Sequence, residues 1–185
     1  MKEIFNDKLN KIVKYDLEDF VLDESKSIVK DCVRVSASYE VGNADYSTNK
    51  AETYLSKLFE EHFETEEDAL VYVLYDNEKP LGYVIYSMNP ENSCVVEEIM
   101  VNKDYCGCGF GTLLMFETMM DLKKEGKTEV HAIVNERNYK SLYLQERVEK
   151  FIGIKSYVDD FEDKKCFEYD TTNLKSMEKE EECEC

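Results

Sequence analysis

The chain has 185 residues and a formal net charge of −18, from 41 acidic and 23 basic residues. This length predicts one domain that can bury a core. No apolar run approaches the roughly 18 residues of a membrane span, and the first residues lack the pattern of a signal peptide. A surface of this charge repels phosphate backbones, so we expect no nucleic-acid partner. Because neither a span nor an export signal is seen, we also expect no membrane partner and a cytoplasmic location.

The chain contains seven cysteines, and four of them form the short pairs Cys106-Gly107-Cys108 and Cys183-Glu184-Cys185. Without an export signal, reduced thiols are the default. Zinc-binding cysteines are usually separated by about two to four residues, whereas one residue separates each of these pairs. The sequence therefore predicts no metal site, and a zinc or redox site formed by the two pairs stays open as a further hypothesis.

The first third of the chain is acidic and has a largely helical pattern. Residues 11–15 predict a short strand from their apolar and β-branched content. Apolar residues recur at helical spacing over 23–35 and again over 51–63, which predicts two helices. The segment 42–45 between them has the composition of a loop. No further role for this third follows from the sequence.

Three strands follow, and the turns between them place them in an antiparallel meander. Residues 70–75 and 81–86 are rich in β-branched and aromatic side chains and are separated by a turn at 76–80, which predicts a hairpin. A second turn at 89–92 leads to a third strand over 94–101. The meander therefore predicts one part of an antiparallel sheet.

A helix and a strand come next. Leucine and methionine spacing predicts a helix over 110–124, and Gly126 ends it, since glycine is favoured just after a helix. A strand over 129–134 then predicts a parallel pair with the preceding strand, joined by a right-handed crossover. Another helix is predicted to begin at Asn135 or Asn138 and to end near residue 149.

Glycines cluster between the third strand of the meander and the helix that follows it. Gly107, Gly109 and Gly111 are three of the seven glycines of the chain. Because glycine has no Cβ, backbone amides can converge on a ligand, and a helix N-terminus favours a phosphate or pyrophosphate. A P-loop would need a Gly-Lys pair followed by Ser or Thr, and a dinucleotide fingerprint would need glycine where Thr112 stands. The turn predicts a phosphate site, with a tight strand-to-helix turn as the structural alternative.

These residues carry a resemblance to a known family. The stretch from Glu97 to Leu114, EEIMVNKDYCGCGFGTLL, resembles the acetyl-CoA motif of the GNAT superfamily of N-acyltransferases. That motif follows a strand ending in Val and has Arg or Gln, two residues, Gly, one residue, then Gly or Ala. The order of elements also matches, most strongly over residues 69–145. The resemblance implies an α/β fold with a mixed, mostly antiparallel sheet, a splayed parallel pair and flanking helices.

The resemblance also implies which residues bind coenzyme A. The pyrophosphate is expected on the amides of Cys106, Gly107, Cys108, Gly109, Phe110, Gly111 and Thr112. Pantetheine is expected to pair with the backbone of Ile99, Met100 and Val101 like an extra strand, and Asn138 helps to hold it. The sequence departs from the family pattern at two positions, since Cys106 stands in place of Arg or Gln, and Gln145 in place of a tyrosine seven residues after Asn138.

Acyl transfer to an amine needs a base, because most amines are protonated at neutral pH. Glu97 and Glu98 are the candidates, because the strand that carries them is apolar on both faces and burial raises a carboxyl pKa. Carboxylates in contact with solvent at a strand end are the alternative. Tyr143 or Tyr139 is the candidate that protonates the leaving thiolate. His131 is expected to be structural.

We therefore predict one GNAT-like acyltransferase domain over residues 1–175 and a disordered acidic tail over 176–185. The predicted reaction is direct transfer of an acetyl group from acetyl-CoA to a primary amine. The acceptor is a small cationic amine, a polyamine or a peptide amine. The alternative is a catalytically degenerate GNAT-fold module that binds coenzyme A or a protein. The resemblance leaves a homodimer open, because many relatives dimerise through the last hairpin, predicted over 151–158 and 166–169.

Overall fold

The computed structural model describes residues 1–16, 28–37, 69–152, 157–161 and 163–175. The loop expected at 42–45, the helix expected at 51–63 and the acidic tail lie outside these ranges. In the described ranges, no helix is both long and apolar enough to cross a membrane.

The described residues contain eight strands and three α-helices, with short 3-10 helices at Lys103–Tyr105 and Thr171–Asn173. The strands are β1 (Lys2–Asn6), β2 (Asn10–Asp16), β3 (Ala69–Asp76), β4 (Lys79–Met88), β5 (Ser93–Val101), β6 (Glu129–Asn135), β7 (Tyr157–Phe161) and β8 (Lys164–Asp170). The helices are α1 (Ile28–Ala37), α2 (Phe110–Lys124) and α3 (Tyr139–Ile152). The strands form one sheet in the order β1-β2-β3-β4-β5-β6-β8-β7.

Neighbouring strands of this sheet are antiparallel except for the parallel pair β5–β6. The predicted mixed, mostly antiparallel sheet is therefore confirmed. The β3-β4-β5 meander matches the three predicted strands, and α2 has the predicted bounds. The parallel pair exists because α2 carries the chain from the end of β5 back to the start of β6.

The prediction was wrong at both ends of the chain. The first residues form the strand β1 and pair with β2 in a hairpin, where a helical pattern was expected. The Asp7 carboxylate accepts bonds from the amides of Leu9 and Asn10 and fixes the turn of that hairpin. Phe151 and Ile152 end α3 instead of starting a strand, so the last hairpin begins later than predicted, at Tyr157.

The sheet carries a helix layer on each face. On the α2 face, defined as the side covered by α2 and α3, the core contains Tyr72, Tyr86, Leu114 and Met119. On the α1 face, the side covered by α1, the core contains Cys32, Val71, Tyr83 and Ile85. Because side chains alternate along a strand, Tyr83 and Tyr86 of β4 lie on opposite faces. The two layers bury β3 and β4 almost completely.

A buried ion cluster joins the first hairpin to the end of α2. Lys14 of β2 bonds to Glu125, and its Nζ lies 3.4 Å from Asp121 Oδ2. The Tyr72 hydroxyl donates to the same Asp121 oxygen at 3.1 Å. Because each buried charge has partners, the cluster holds the hairpin against α2, and removing one member would leave an uncompensated charge.

The parallel pair separates partway along its length. β5 and β6 are in register only from Ser93 opposite Glu129 to Val96 opposite Ala132. Beyond that point β5 stays paired with β4 as far as Val101, whereas β6 stays paired with β8 as far as Asn135. The two strands therefore diverge, and the space between them becomes a cleft.

Candidate active site

The cleft between the diverging ends of β5 and β6 has a volume of about 720 Å³. The end of β5, the glycine turn, the end of β6 and the first turns of α3 line it. The predicted site residues that line it are Glu97, Glu98, Ile99, Met100, Val101, Cys106, Gly107, Gly109, Phe110, Gly111, Thr112, Asn138 and Tyr143. Cys108 is the predicted site residue that is not part of the lining.

The glycine turn presents backbone amides at the N-terminus of α2. Gly107 and Gly109 have φ of 85° and 89°, in the left-handed region that favours glycine, and Gly109 is the N-cap of the helix. The first helical bond within this turn runs from the Leu113 amide to the Gly109 carbonyl, 2.9 Å. The amides of Phe110, Gly111 and the next residue therefore have no acceptor within the helix. These amides and the helix dipole suit an anion.

Three residues of the turn make contacts within the protein itself. The amides of Cys106 and Cys108 each donate within the turn, to the carbonyls of Lys103 and Tyr105 at 3.3 Å. A Cβ on Gly111 would lie 3.1 Å from Leu144 Cδ1 of α3. Gly111 is thus a close-packing contact between the two helices, which its spacing in the sequence did not indicate.

A β-bulge sets the direction of the two acidic side chains of β5. Ile85 pairs with Glu98 and Tyr86 pairs with Val96, so Glu97 has no residue opposite it on β4. The Glu97 carboxylate accepts a bond from the Ser87 hydroxyl, and the Glu98 carboxylate accepts one from Tyr83. Tyr83 belongs to the α1-face core. The extra residue of the bulge interrupts the strict alternation of faces, so both consecutive carboxylates bond to β4 side chains.

Glu98 is the more buried of the two carboxylates. The Tyr83 hydroxyl donates to Glu98 Oε1 at 3.0 Å, while Oε2 is buried without a hydrogen-bond partner among the described residues. Burial raises the pKa of Glu98, and the hydrogen bond from Tyr83 lowers it in part. The charge of Glu98 also adds to the effect of burial in raising the pKa of the Cys32 thiol. Glu97 differs, because its side chain is exposed.

The start of α3 forms the other wall of the cleft. Asn138 caps this helix, since its side-chain oxygen accepts from the Ser141 amide at 3.2 Å. Tyr143 is 58% exposed, and Arg147 donates to its hydroxyl at 3.5 Å. Gln145 is buried and accepts from the Tyr169 hydroxyl at 2.6 Å. Gln145, at the position of the expected tyrosine, lines the cleft, but its side-chain oxygen is engaged with Tyr169. Tyr143 lines the same cleft with an exposed side chain.

The structure shows where His131 and the Cys106–Cys108 pair lie relative to the cleft. His131 lies on β6 between Glu129 and Glu168, at 3.7 Å and 4.0 Å, and is not among the residues that line the cleft. Cys106 and Cys108 are exposed. Within the ranges that the structure describes, no group of three or more acidic, histidine or cysteine side chains could hold a metal ion. Cys183 and Cys185 lie outside those ranges.

Comparison with family models identifies residues 37–148 as matching the acetyltransferase (GNAT) family. The chain belongs to this family. The match covers the glycine turn, both acidic residues of β5 and most of α3, so the GNAT acetyltransferase assignment rests on the part of the chain that builds the cleft. No curated protein sequence matches the chain.

Solved structures of GNAT enzymes share the fold at low sequence identity. The PaiA N-acetyltransferase of Thermoplasma acidophilum, in complex with coenzyme A, matches 87% of this chain and 98% of its own, with a TM-score of 0.59 and 17% identity. A spermidine N-acetyltransferase SpeG chimera from Vibrio cholerae and hSSAT matches 89% and 97%, with a TM-score of 0.61 and 13% identity. The ribosomal-protein-S18-alanine N-acetyltransferase of Escherichia coli matches 87% and 92%, with a TM-score of 0.53 and 16% identity.

The sequence did not predict the two residues of the neighbouring strand that form hydrogen bonds with the acidic side chains of the cleft. Tyr83 and Ser87 of β4 donate hydrogen bonds to the carboxylates of Glu98 and Glu97, respectively. Neither residue is part of a recognisable sequence motif. The signal that finds them is the register between β4 and β5, including the bulge at Glu97. A register of this kind depends on pairing across the hairpin and cannot be obtained from spacing along one strand.

Proposed function

We propose that this chain transfers an acetyl group from acetyl-CoA to a primary amine. The observation that carries the proposal is the cleft between β5 and β6, which has helix N-terminal amides on one side and a buried carboxylate on another. Membership of the GNAT acetyltransferase family supports it. The structural relative PaiA was solved in complex with coenzyme A.

The residues of the cleft fit coenzyme A. A Cβ at Gly107 or Gly109 would meet no described atom within 4 Å, so the turn leaves open space beside its amides. Phe110, Gly111 and Thr112 would donate their amides to the pyrophosphate. Backbone amides supply this interaction without Lys or Arg, so the Cys106 substitution leaves the main anion contacts intact. The β5 edge beyond its pairing with β6, Ile99 to Val101, would pair with pantetheine, beside Asn138.

Acetyl-CoA supplies an activated acetyl thioester when it is bound. The protein supplies the base, and Glu98 is the better placed of the two candidates because burial raises its pKa. Glu97, exposed and bonded to Ser87, is proposed to attract the cationic acceptor. Tyr143 is proposed to donate a proton to the leaving thiolate, since Gln145 faces Tyr169 in the core.

The acceptor class follows from charge. The net charge of −18 and the acidic residues of β5 favour a cationic amine over an anionic acceptor. Two structural relatives are named as acetyltransferases of spermidine and of an alanine of a ribosomal protein, which supports a small amine or a peptide amine as the acceptor. We propose a small cationic amine, a polyamine or a peptide amine as the acceptor.

The test is a product assay with reduced full-length protein. Acetyl-CoA is supplied with a panel of diamines, spermidine and peptides bearing a free α-amine, and acetylated products are detected by mass spectrometry. Saturable product formation supports the proposal. Calorimetric binding of acetyl-CoA without product from any amine would favour a non-enzymatic coenzyme A module, and the absence of both would contradict the proposal.

A further inference from the structure

Tyr83 contacts the candidate base from the middle of β4. Its side chain is completely buried in the α1-face core, and its hydroxyl lies 3.0 Å from Glu98 Oε1 and 4.0 Å from Met100 Sδ. Met100 and Glu98 both line the cleft. The aromatic ring is fixed by the surrounding core, so the hydroxyl has little freedom to leave the carboxylate.

The bond to Tyr83 makes the two oxygens of Glu98 different. Oε1 accepts from the tyrosine, whereas Oε2 is buried and has no partner among the described residues. A buried oxygen without a partner is costly and is a place where a proton or a donor would be bound. The carboxylate is thus anchored through one oxygen, and the other is left to take a proton.

We propose that Tyr83 is a positioning residue that holds Glu98 by Oε1 and keeps it ionised, so that Oε2 receives the proton of the acceptor amine. This inference rests on the proposed acetyl transfer. When the proton moves, directly or through one water molecule, the N–H bond of the ammonium breaks. Its electron pair stays on nitrogen, and the proton binds the carboxylate to give a neutral carboxylic acid. The amine is then neutral and nucleophilic.

Other titratable groups lie on the same face and along the cleft, and any test of Tyr83 must leave these residues unsubstituted. On the α1 face the described ones are Tyr15 of β2, Tyr75 of β3, Tyr83 of β4, and Asp31 and Cys32 of α1. The cleft wall adds Glu97, Tyr105, Cys106, Lys140, Tyr143 and Arg147. Among them, Tyr83 is the group that donates to the Glu98 carboxylate. Burial raises the pKa of Glu98 and the bond from Tyr83 opposes that change, so removing the hydroxyl makes the ionised form scarcer at a given pH.

The test compares Tyr83→Phe with Tyr86→Phe. Tyr86 is a second buried tyrosine of the same strand, but it lies on the α2 face and bonds to Thr118 Oγ1 at 2.7 Å, away from the cleft. Both substitutions remove one buried hydroxyl, so their effects on folding are matched. The measurement is kcat/KM for an amine acceptor across pH, with acetyl-CoA saturating.

We expect Tyr83→Phe to move the acidic limb of the profile to higher pH. The loss should be about tenfold at the acid end and should shrink toward the alkaline plateau, because a hydrogen bond to a charged group has been removed. Tyr86→Phe should leave the shape of the profile unchanged. Equal profiles for the wild type and Tyr83→Phe, or equal shifts in both variants, would overturn the inference.

A second measurement does not depend on activity. Titration of protein labelled with ¹³C at glutamate carboxyl carbons follows the ionisation of Glu98, which is assigned by its loss in Glu98→Gln. The Glu98 resonance should titrate at higher pH in Tyr83→Phe and should be unchanged in Tyr86→Phe. If the Glu98 titration shifts but no amine is acetylated, the proposed function and the base role are refuted, and only the effect of the Tyr83 hydrogen bond on Glu98 stands. If the titration does not shift, the role of Tyr83 is refuted.

Discussion

The glycine turn and the acidic end of β5 lie in one cleft but are built in different ways. The turn offers backbone amides, and its chemistry depends on positive φ at Gly107 and Gly109. The end of β5 offers side chains, and its chemistry depends on a β-bulge and on a hydroxyl from β4. The turn is thus specified by a short local sequence, whereas the acidic end is specified by contacts between strands. Substitutions in the turn and at the end of β5 can therefore test the two regions separately.

Substitution of the base should have the largest effect. Glu98→Gln keeps the shape of the side chain and removes its ability to accept a proton, so kcat should fall by about 10²- to 10³-fold. The dissociation constant for acetyl-CoA, measured by calorimetry, should be unchanged, because the amides of the turn are untouched. Glu97→Gln should reduce kcat less than tenfold, since Glu97 is exposed. Comparable losses in both variants would show that burial does not distinguish the two carboxylates.

Substitution in the turn should weaken binding without affecting the base. Gly109→Asp places a negative charge beside the phosphate site, so acetyl-CoA should bind about 100-fold more weakly. The left-handed strain that it adds, about 1 kcal/mol, lowers the stability of the fold. Gly126→Asp is the matched control, because Gly126 has φ of 86° at the opposite end of α2. It should carry the same strain and leave binding near that of the wild type. Equal losses would indicate a general effect on α2.

The two tyrosines of α3 should differ by a smaller factor. Tyr143 lines the cleft, whereas Tyr139, 76% exposed, does not. Tyr143→Phe removes the hydroxyl that is proposed to protonate the leaving thiolate. It should lower kcat by about tenfold, less than the roughly 10²- to 10⁴-fold typical of general acid–base catalysis, because water can replace the hydroxyl in part. Tyr139→Phe should lower it less than twofold. A larger loss with Tyr139→Phe would place the general acid on the exposed side of α3.

The smallest expected effect is on stability and has the opposite sign. Because burial raises the folded-state pKa of Glu98, ionisation costs more in the folded protein than in the unfolded chain. At pH 8 the ionised carboxylate therefore lowers stability, and Glu98→Gln should raise Tm by a few degrees. The difference should vanish as pH falls below the unfolded value, where both states are protonated. A Tm difference that does not depend on pH would argue against a buried charge.

The sequence was sufficient for the features that depend on neighbouring residues. The bounds of α2, the three strands of the meander and the position of the glycine turn follow from local spacing, and the structure has all of them. The capping role of Asn138 is also local, since it acts on the amide of Ser141. In these segments the local preferences of the residues agree with the global fold.

The features that the sequence did not predict depend on distant partners. β1 has a mixed charged and apolar sequence and becomes a strand through pairing with β2. Gln145 is held in the core by Tyr169, 24 residues further along the chain. The bond between Tyr83 and Glu98 needs the register across the β4–β5 hairpin. In each case tertiary contacts decide the outcome, so spacing within one element carries no signal.

Hydrogen exchange with and without acetyl-CoA tests the central claim most directly. If acetyl-CoA occupies the cleft between β5 and β6, its binding should slow amide exchange at Phe110, Gly111 and Thr112 and along Ile99 to Val101. The amide of Gly126, at the other end of α2, should exchange at the same rate with and without the ligand. Calorimetric binding accompanied by protection elsewhere, with these amides unchanged, would contradict the placement of the site.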